Sequence, residues 1–315
     1  MAASEINCPV CGQKGICVRE LPAGFLRQEL GKYFAEIPPS SLDIGSYRIR
    51  RCSECLLEYA DPMIPGTPAY YEWIARHEGY YPDGRWDHDM VRSLISQGAQ
   101  GSILDVGCGS GSFLAQIAEC PGMRPVGLDL NARAVSDCRS KGLTAHCETL
   151  DAFGDRIREK GERFDHIVSF HCLEHVQNPV EFVRLMAFLL RSKGRIYLST
   201  PYSPMSFEYN WFDAQNHPPH HLTRWNLTAF ASLANQLGMS MEYVMPKAAS
   251  VPSRLLCSLK LRYMGVAGNS SIATGLLLMA RHPWNAAAEL LCQVKREKVG
   301  SRIAANVVLI MLSAK

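Results

Sequence analysis

The stretch "GSILDVGCGSGSFLAQIAE", Gly101 to Glu119, constrains the chain more than any other. An apolar run with the composition of a buried strand turns through Gly107, Gly109 and Gly111 and continues with helical apolar spacing. Glycines at such a turn let the backbone bend sharply and approach a ligand that a Cβ would strike. Asp105 precedes the first glycine, and the spacing is GxGxG rather than the GxGxxG of dinucleotide sites. About twenty residues on, "RPVGLDLNARAV" supplies a second strand ending at Asp129, placed to accept both hydroxyls of a ribose. These residues predict a bound nucleoside.

Strand and helix signals go on alternating. "LTAHCETLDAF" (143–153) reads as a third strand, with its end near Cys147 to Leu150. "RFDHIVSFHCLEHVQNPVEFVRLMAFLLRSKGRIYLSTP" (163–201) gives a fourth strand, a long helix and a fifth strand. "MSMEYVMPKAA" is a sixth, and "SRIAANVVLIMLSAK" a seventh. Such alternation predicts an α/β, doubly wound sheet whose ligands sit beyond the carboxyl ends of the strands, where Gly107, Asp129, Cys147 and His171 converge. Residues from about 248 to 300 have helical apolar spacing and are expected to roof the substrate cleft.

Twelve cysteines in a chain that opens "MAASEINCPVCG", without the basic start and apolar core of a secretory signal, argue for reduced thiols and metal ligation. Cys8 and Cys11 form "CPVCG", and Cys52 and Cys55 form "CSEC". Two such knuckles predict a tetrahedral four-thiolate zinc site, closed and therefore structural, in a zinc-ribbon-like module. Cys17, the extra thiol there, reads as a buried small hydrophobe. The apolar run from Ile303 is too short to span a bilayer, so a soluble, cytosolic protein is expected. A net charge of +3 does not point to nucleic acid, although Arg48, Arg50 and Arg51 beside the second knuckle offer a local basic strand.

"LDVGCGSG" followed by "VGLDLN" resembles the first two motifs of the class I S-adenosylmethionine (SAM)-dependent methyltransferases. The resemblance implies a Rossmann-like seven-stranded sheet with the last strand antiparallel. It also implies SAM as cofactor, its amino-acid end held by Asp105 and the loop backbone of Gly107, Cys108, Gly109 and Gly111. Its ribose falls to Asp129, its adenine lies beside Leu130 and Cys147, and His171 borders it. The expected organisation is a zinc module over 1–60, an aromatic lid or packing segment over 61–98 with Tyr70, Tyr71, Trp73, Tyr80, Tyr81 and Trp86, and a methyltransferase domain over 99–315.

"NHPPHHLTRW", Asn216 to Trp225, falls just after the fifth strand, where its prolines stiffen a loop at the cleft edge. Methyl transfer needs a positioned nucleophile and, where that nucleophile carries a proton, a base; neutral histidine is the simplest at physiological pH. With its two knuckles and histidine loop the chain is similar to zinc-containing sugar C-methyltransferases over its front two thirds. In that family a Glu-His pair in a pattern like "EHxSxxS" includes the proposed base. "HHLTRWN" stands in the comparable place, which maps the base onto His221 and sets His220 where the family has glutamate, as orienter or substrate ligand. A second metal at His217, His220 and His221, or at His171 and His175 with Cys172, is disfavoured, because adjacent side chains such as His220 and His221 are expected to diverge and no carboxylate completes a recognisable ligand motif. The expected function is therefore methylation of a small-molecule acceptor, a sugar or secondary-metabolite intermediate. The alternatives are an RNA methyltransferase with a zinc module, and a non-catalytic SAM-fold protein whose zinc module binds a partner.

Overall fold

The computed structural model describes residues 6–77, 80, 84–95, 100–158, 161–205, 208, 211–247, 250–264, 271–299 and 306–315; Tyr81 lies outside them. Strand β1 (Gly15–Leu21) leads into helix α1 (Ala23–Phe34), followed by β2 (Tyr47–Cys52) and β3 (Glu58–Asp61). Helices α2 (Pro68–Ala75) and α3 (Trp86–Ile95) come next. The alternating core then runs β4 (Gly101–Val106), α4 (Ser112–Ala118), β5 (Met123–Leu128), α5 (Ala132–Ser140), β6 (Ala145–His146), α6 (Leu150–Arg158), β7 (Phe164–Phe170), α7 (Pro179–Leu189) and β8 (Leu190–Pro201). It closes with β9 (Thr223–Arg224), α8 (Leu227–Gln236), β10 (Met239–Val244), three helices α9 (Val251–Met264), α10 (Ile272–Arg281) and α11 (Pro283–Val299), and β11 (Val307–Ala314).

Seven strands form one sheet in the order β10-β11-β8-β7-β4-β5-β6. Every residue of β4 is buried, as a central parallel strand covered on both faces requires. It pairs in parallel with β5 and with β7, so that Asp105 lies level with Gly127 on one side and Val168 on the other. The chain moves outward from β4 through β5 to β6, then returns to β7 and β8 on the other side, which opens a crevice at the carboxyl ends around β4. The last strand, β11, is antiparallel to both β8 and β10. This is the α/β, seven-stranded, doubly wound sheet expected from the sequence.

The third strand differs from expectation. Only Ala145 and His146 pair with β5, and Leu150 already starts α6. Thr149 explains the shortening: its hydroxyl accepts from Ala152 N–H at 3.3 Å and its carbonyl from Phe153 N–H at 3.0 Å, an N-terminal cap that turns the segment helical. In the same way Glu174 and His175 belong to a short 3-10 turn (Leu173–His175), and α7 begins later, at Pro179.

A second sheet has the order β1-β2-β3-β9, antiparallel throughout. Its fourth strand comes not from the N-terminal segment but from the residues right after His221: Thr223 pairs with Tyr59 and Arg224 with Glu58. Cys8, Cys52, Cys55, Leu57, Tyr59 and Trp225 share one hydrophobic core with Leu104, Ile167, Ile196 and Phe230 of the larger sheet and its helices. Around the other side of the small sheet, Leu26, Leu30 and Phe34 of α1 pack with Tyr70 and Trp73 of α2 and Leu222. Helix α9 reaches this region through Ser258, whose hydroxyl accepts from Trp211 Nε1 at 3.1 Å. No helix among the described residues is long and apolar enough to cross a membrane.

Candidate functional site

The carboxyl ends of β4, β5 and β7 assemble the first half of the site. The loop after β4 runs through Gly107 (φ 83°), Gly109 (φ 53°) and Gly111 (φ 80°), the last being the N-cap residue of α4. A Cβ on Gly111 would sit 2.8 Å from Cys138 Sγ, and one on Gly107 would sit 3.2 Å from Cys172 Sγ. The left-handed backbone and the close neighbours together demand glycine there. Asp105 is fully buried just before this loop, and its Oδ1 has no hydrogen-bond partner. Burial, with the Asp129 carboxylate nearby, pushes its carboxyl up to about 8. Such an orphaned acid calls for a cationic or N–H partner from a ligand.

Asp129 follows β5. Its Oδ2 accepts from Gly109 N–H and its Oδ1 from Asn131 N–H, both at 2.8 Å, which fixes the carboxylate at the loop mouth with acceptor capacity remaining on each oxygen. Leu130 is 70% exposed and Cys147 is exposed beside it, its Sγ 3.6 Å from the Leu130 carbonyl. Cys108 is buried against α4 and α5 with Leu114, Val135 and Cys138. The Cys108 backbone is held in the loop, its N–H donating to the Leu128 carbonyl at 2.9 Å and its carbonyl accepting from Gly111 N–H at 3.0 Å. Asp105, the glycine loop and Asp129 meet at the carboxyl ends of β4 and β5, with Leu130 and Cys147 just beyond β5 and β6.

The second half begins at the end of β7. His171 has φ 50°, an uncommon conformation for a residue with a Cβ, and its N–H is held by the Ser199 carbonyl at 2.9 Å. Its Nε2 lies 3.7 Å from Asp87 of α3 and its Nδ1 3.4 Å from Glu174 Oε1. Asp87 is buried, and although burial opposes its ionisation, Arg85 outweighs that and holds its carboxyl below the usual range. Glu174 is 1% exposed, and neither carboxylate oxygen makes a hydrogen bond. Among the described residues it approaches only the imidazoles of His171 and His221 as ion-pair partners, the latter at 3.9 Å from Nε2.

The histidine segment folds as a tight turn in which the N–H groups of both His220 and His221 reach back to the His217 carbonyl. His220 and His221 do not diverge as expected. Their rings stack, with centroids 4.5 Å apart and planes at 19°, and His175 meets both at 4.6 and 4.8 Å. Nor does the loop present them to solvent, since both are buried. Each of the three rings donates its Nδ1–H to an oxygen: His175 to the His220 carbonyl at 2.6 Å, His220 to the Gln215 carbonyl at 2.9 Å, His221 to Asn216 Oδ1 at 2.9 Å. The Asn216 amide is oriented for this by donating its Nδ2 to Glu208. With Nδ1 protonated, each Nε2 carries the lone pair. Burial pushes all three rings to lower pKa, keeping them neutral. His217 turns away to Arg224, whose Nη1 is 2.6 Å from its Nε2.

The aromatic segment splits between packing and the site. Tyr70 and Trp73 are fully buried in the small-sheet core, whereas Tyr71 and Tyr80 reach the histidines; Tyr80 Oη is 3.1 Å from His220 Nε2.

The four knuckle cysteines also come together. Cys8 and Cys55 have sulfurs 3.5 Å apart, Cys11 and Cys52 3.3 Å, and all four lie within 4.8 Å of one another. Tetrahedral thiolates on zinc would stand about 3.8 Å apart, so the donor set fits that ion. The knuckles are matched in backbone: the residue after each second cysteine, Gly12 (φ 72°) and Leu56 (φ 61°), is left-handed. Cys17 corrects its expectation, for it is exposed on β1, an edge strand whose side chains are largely solvent-facing. The basic strand is already paired: Arg48 and Arg50 with Asp61 at 3.1 and 2.8 Å, and Arg51 with Glu58.

Sequence reasoning did not assign Glu174, Asp87 or Asn216 to the site, nor join His175 to His220 and His221. The "LEH" after β7 was the available signal for Glu174 and His175; nothing local marks Asp87 or Asn216.

A glycine loop and Asp129 at the switch point of such a sheet define a doubly wound α/β protein with a candidate site at the carboxyl ends of its strands. Residues 79–244 match the family described as "Methyltransferase domain", and the chain belongs to that family. A ubiquinone biosynthesis O-methyltransferase of Xylella fastidiosa (strain M23) is 33% identical over 119 residues, 37% of this chain and 47% of that protein. Another, of Xanthomonas oryzae pv. oryzae (strain PXO99A), is 32% identical over 101 residues, 31% of this chain and 42% of that one. The chain thus spans under half the length of these curated relatives. Among solved structures, a SAM-dependent methyltransferase from Archaeoglobus fulgidus is similar at a TM-score of 0.47 and 15% identity, covering 77% of this chain and 98% of that one.

Proposed function

We propose that this chain transfers a methyl group from SAM to a small-molecule acceptor, with zinc held structurally by Cys8, Cys11, Cys52 and Cys55. The observation that carries the reading is the buried, unpartnered Asp105 Oδ1 at the end of β4, one residue from a left-handed glycine loop. Asp105 and the backbone of Gly107, Cys108, Gly109 and Gly111 take the amino-acid end, Asp129 the ribose hydroxyls, and Leu130 and Cys147 flank the adenine. SAM supplies an electrophilic methyl on a positively charged sulfur. His171, whose neighbour Cys172 has its Sγ 3.2 Å from where a Cβ on Gly107 would sit, borders SAM.

The residues of this chain would orient the acceptor in line with the methyl carbon and remove its proton. As the acceptor's lone pair forms the new bond, the carbon–sulfur bond breaks and its electrons stay on sulfur. His221 Nε2 takes the acceptor proton, while Asn216 fixes the ring's tautomer and His220 braces its face. The relatives named as O-methyltransferases favour oxygen as the methylated atom. We assign 1–60 to the zinc module, 61–98 to the segment over the histidines, and 99–315, with its helical insertion at 248–300, to the catalytic domain. The ion pairs at Arg48, Arg50 and Arg51 leave those side chains engaged, which favours a small acceptor over RNA.

Calorimetric titration of purified protein with SAM tests this first. Micromolar binding that is weakened in Asp105→Asn supports the reading; no binding to folded, zinc-loaded protein overturns it.

A further inference from the structure

We propose that His175, His220 and His221 form a second divalent-metal site, with Glu174 as its fourth ligand. One ring nitrogen from each histidine lies within 4.8 Å of those of the other two, and Glu174 Oε1 lies 3.9 Å from His221 Nε2. A tetrahedral ion with nitrogen bonds of ordinary length separates its ligands by about 3.4 Å, so closing the site requires the nitrogens to draw together and the stacked His220 and His221 rings to turn out of their near-parallel planes, since each lone pair lies in its own ring plane.

Three independent features point to a ligand there. All three imidazoles have Nδ1–H donated to a fixed oxygen, the arrangement that pins the tautomer and leaves Nε2 as the donor atom toward an ion. The oxygens all belong to the 215–220 turn, at Gln215, Asn216 and His220, so that one turn orients all three rings. Glu174 is fully buried with both oxygens lacking hydrogen bonds, a costly state that a cation would relieve. Finally, a donor set of three imidazole nitrogens and one carboxylate suits a borderline-soft ion such as zinc or cobalt(II) more than magnesium. The competing contacts among the described residues are Tyr80 Oη on His220 Nε2 and His171 Nδ1, 3.4 Å from Glu174 Oε1, and both must yield as the ion enters.

The site has three nitrogens and one carboxylate, unlike the closed four-thiolate cluster in the cysteine knuckles. It goes beyond the methyl-transfer reading and makes His221 a ligand, rather than a proton acceptor, whenever the ion is bound.

Full-length protein dialysed against cobalt(II), then against metal-free buffer, would be assayed for metal per chain by mass spectrometry and for its absorption spectrum. About two ions per chain are expected, one of them giving thiolate-to-cobalt charge transfer. His175→Asn/His221→Asn should fall to about one ion per chain with that charge-transfer band intact. Glu174→Gln, a gentler change, should weaken the second ion at least about tenfold, as loss of an anionic ligand does. Wild-type protein holding about one ion, all of it thiolate-bound, in cobalt excess overturns the proposal. So does full second-site loading in both variants. SAM titration of the same samples separates the two readings: a second ion without SAM binding leaves the metal site standing and removes methyl transfer.

Discussion

His221 Nε2 lies 3.9 Å from Glu174 Oε1, although 47 positions separate the two residues in the chain. The contact exists because two backbone links hold the elements together. Leu222 N–H donates to the Glu174 carbonyl at 2.8 Å, and Ala60 N–H of β3 donates to the Leu222 carbonyl at 2.8 Å. The residue after His221 is therefore clamped between the turn that follows β7 and the four-stranded sheet.

Replacing His221 by Ala should lower methyl-transfer turnover by at least about a hundredfold. SAM affinity should stay within about twofold, since in the proposed function the ring serves the acceptor and not the cofactor. Steady-state turnover alongside calorimetric SAM titration checks this, and full turnover in the variant would remove the residue from the chemistry.

Asp105 makes cofactor binding depend on pH. Its folded pKa, about 8, is raised above that of an unfolded aspartate, so the free protein holds an extra proton between about pH 4 and 8. That raised value stabilises the free fold fully below the unfolded pKa, and the contribution is lost as pH rises toward 8. A cationic amine prefers the ionised acid, so SAM affinity should climb from pH 6 toward pH 8 with proton release visible as a buffer-dependent heat. In Asp105→Asn affinity should fall by roughly tenfold to a hundredfold, and the proton release should disappear.

How much of this was legible before the structure follows from where each signal is stored. β4, its glycine loop and α4 are read directly because burial on both faces leaves an unbroken apolar run, and the left-handed turns demand glycine. The four cysteines are read from spacing alone. By contrast, β9 has two residues, too few to show any alternation, so its membership of the small sheet carries no sequence pattern. The meeting of His175 with His220 and His221 depends on that pairing, and so was hidden with it. The third strand ends early because Thr149 caps a helix, and the mixed residues Cys147 to Asp151 carry no apolar period that would mark the change.

Two glycines with nearly the same backbone give a controlled comparison. Gly111 (φ 80°) has Cys138 Sγ 2.8 Å and Leu143 Cδ1 2.9 Å from the position of an added Cβ, while Gly142 (φ 77°) has nothing within 4 Å. Gly142→Ala should cost about 1 kcal/mol of stability from backbone strain alone. Gly111→Ala should cost about 2–4 kcal/mol, adding overpacking to that strain. Denaturant midpoints at constant slope measure the difference; equal losses would mean the loop yields freely.

Cys52→Ser should remove the ion from the knuckles, lowering metal content by about one per chain. Because β2 and β3 carry β9, its effect should spread to the histidines before the seven-stranded sheet. Hydrogen exchange should rise first at Tyr59, Thr223 and Arg224, and least in β4 and β7. Uniform loss of protection would show that the two sheets unfold as one.

The weaving of Thr223 and Arg224 into the small sheet also limits how the gene can be cut. A fragment starting after residue 60 would lose β1, β2 and β3 from beside β9 and bare Trp225 and Leu222, which are buried in the intact chain. An open strand edge next to freshly exposed apolar side chains invites pairing between molecules. The truncated protein should therefore collect in inclusion bodies, even though it retains all seven strands of the larger sheet. The N-terminal segment is in this sense a built-in chaperone for the strand that follows the histidines.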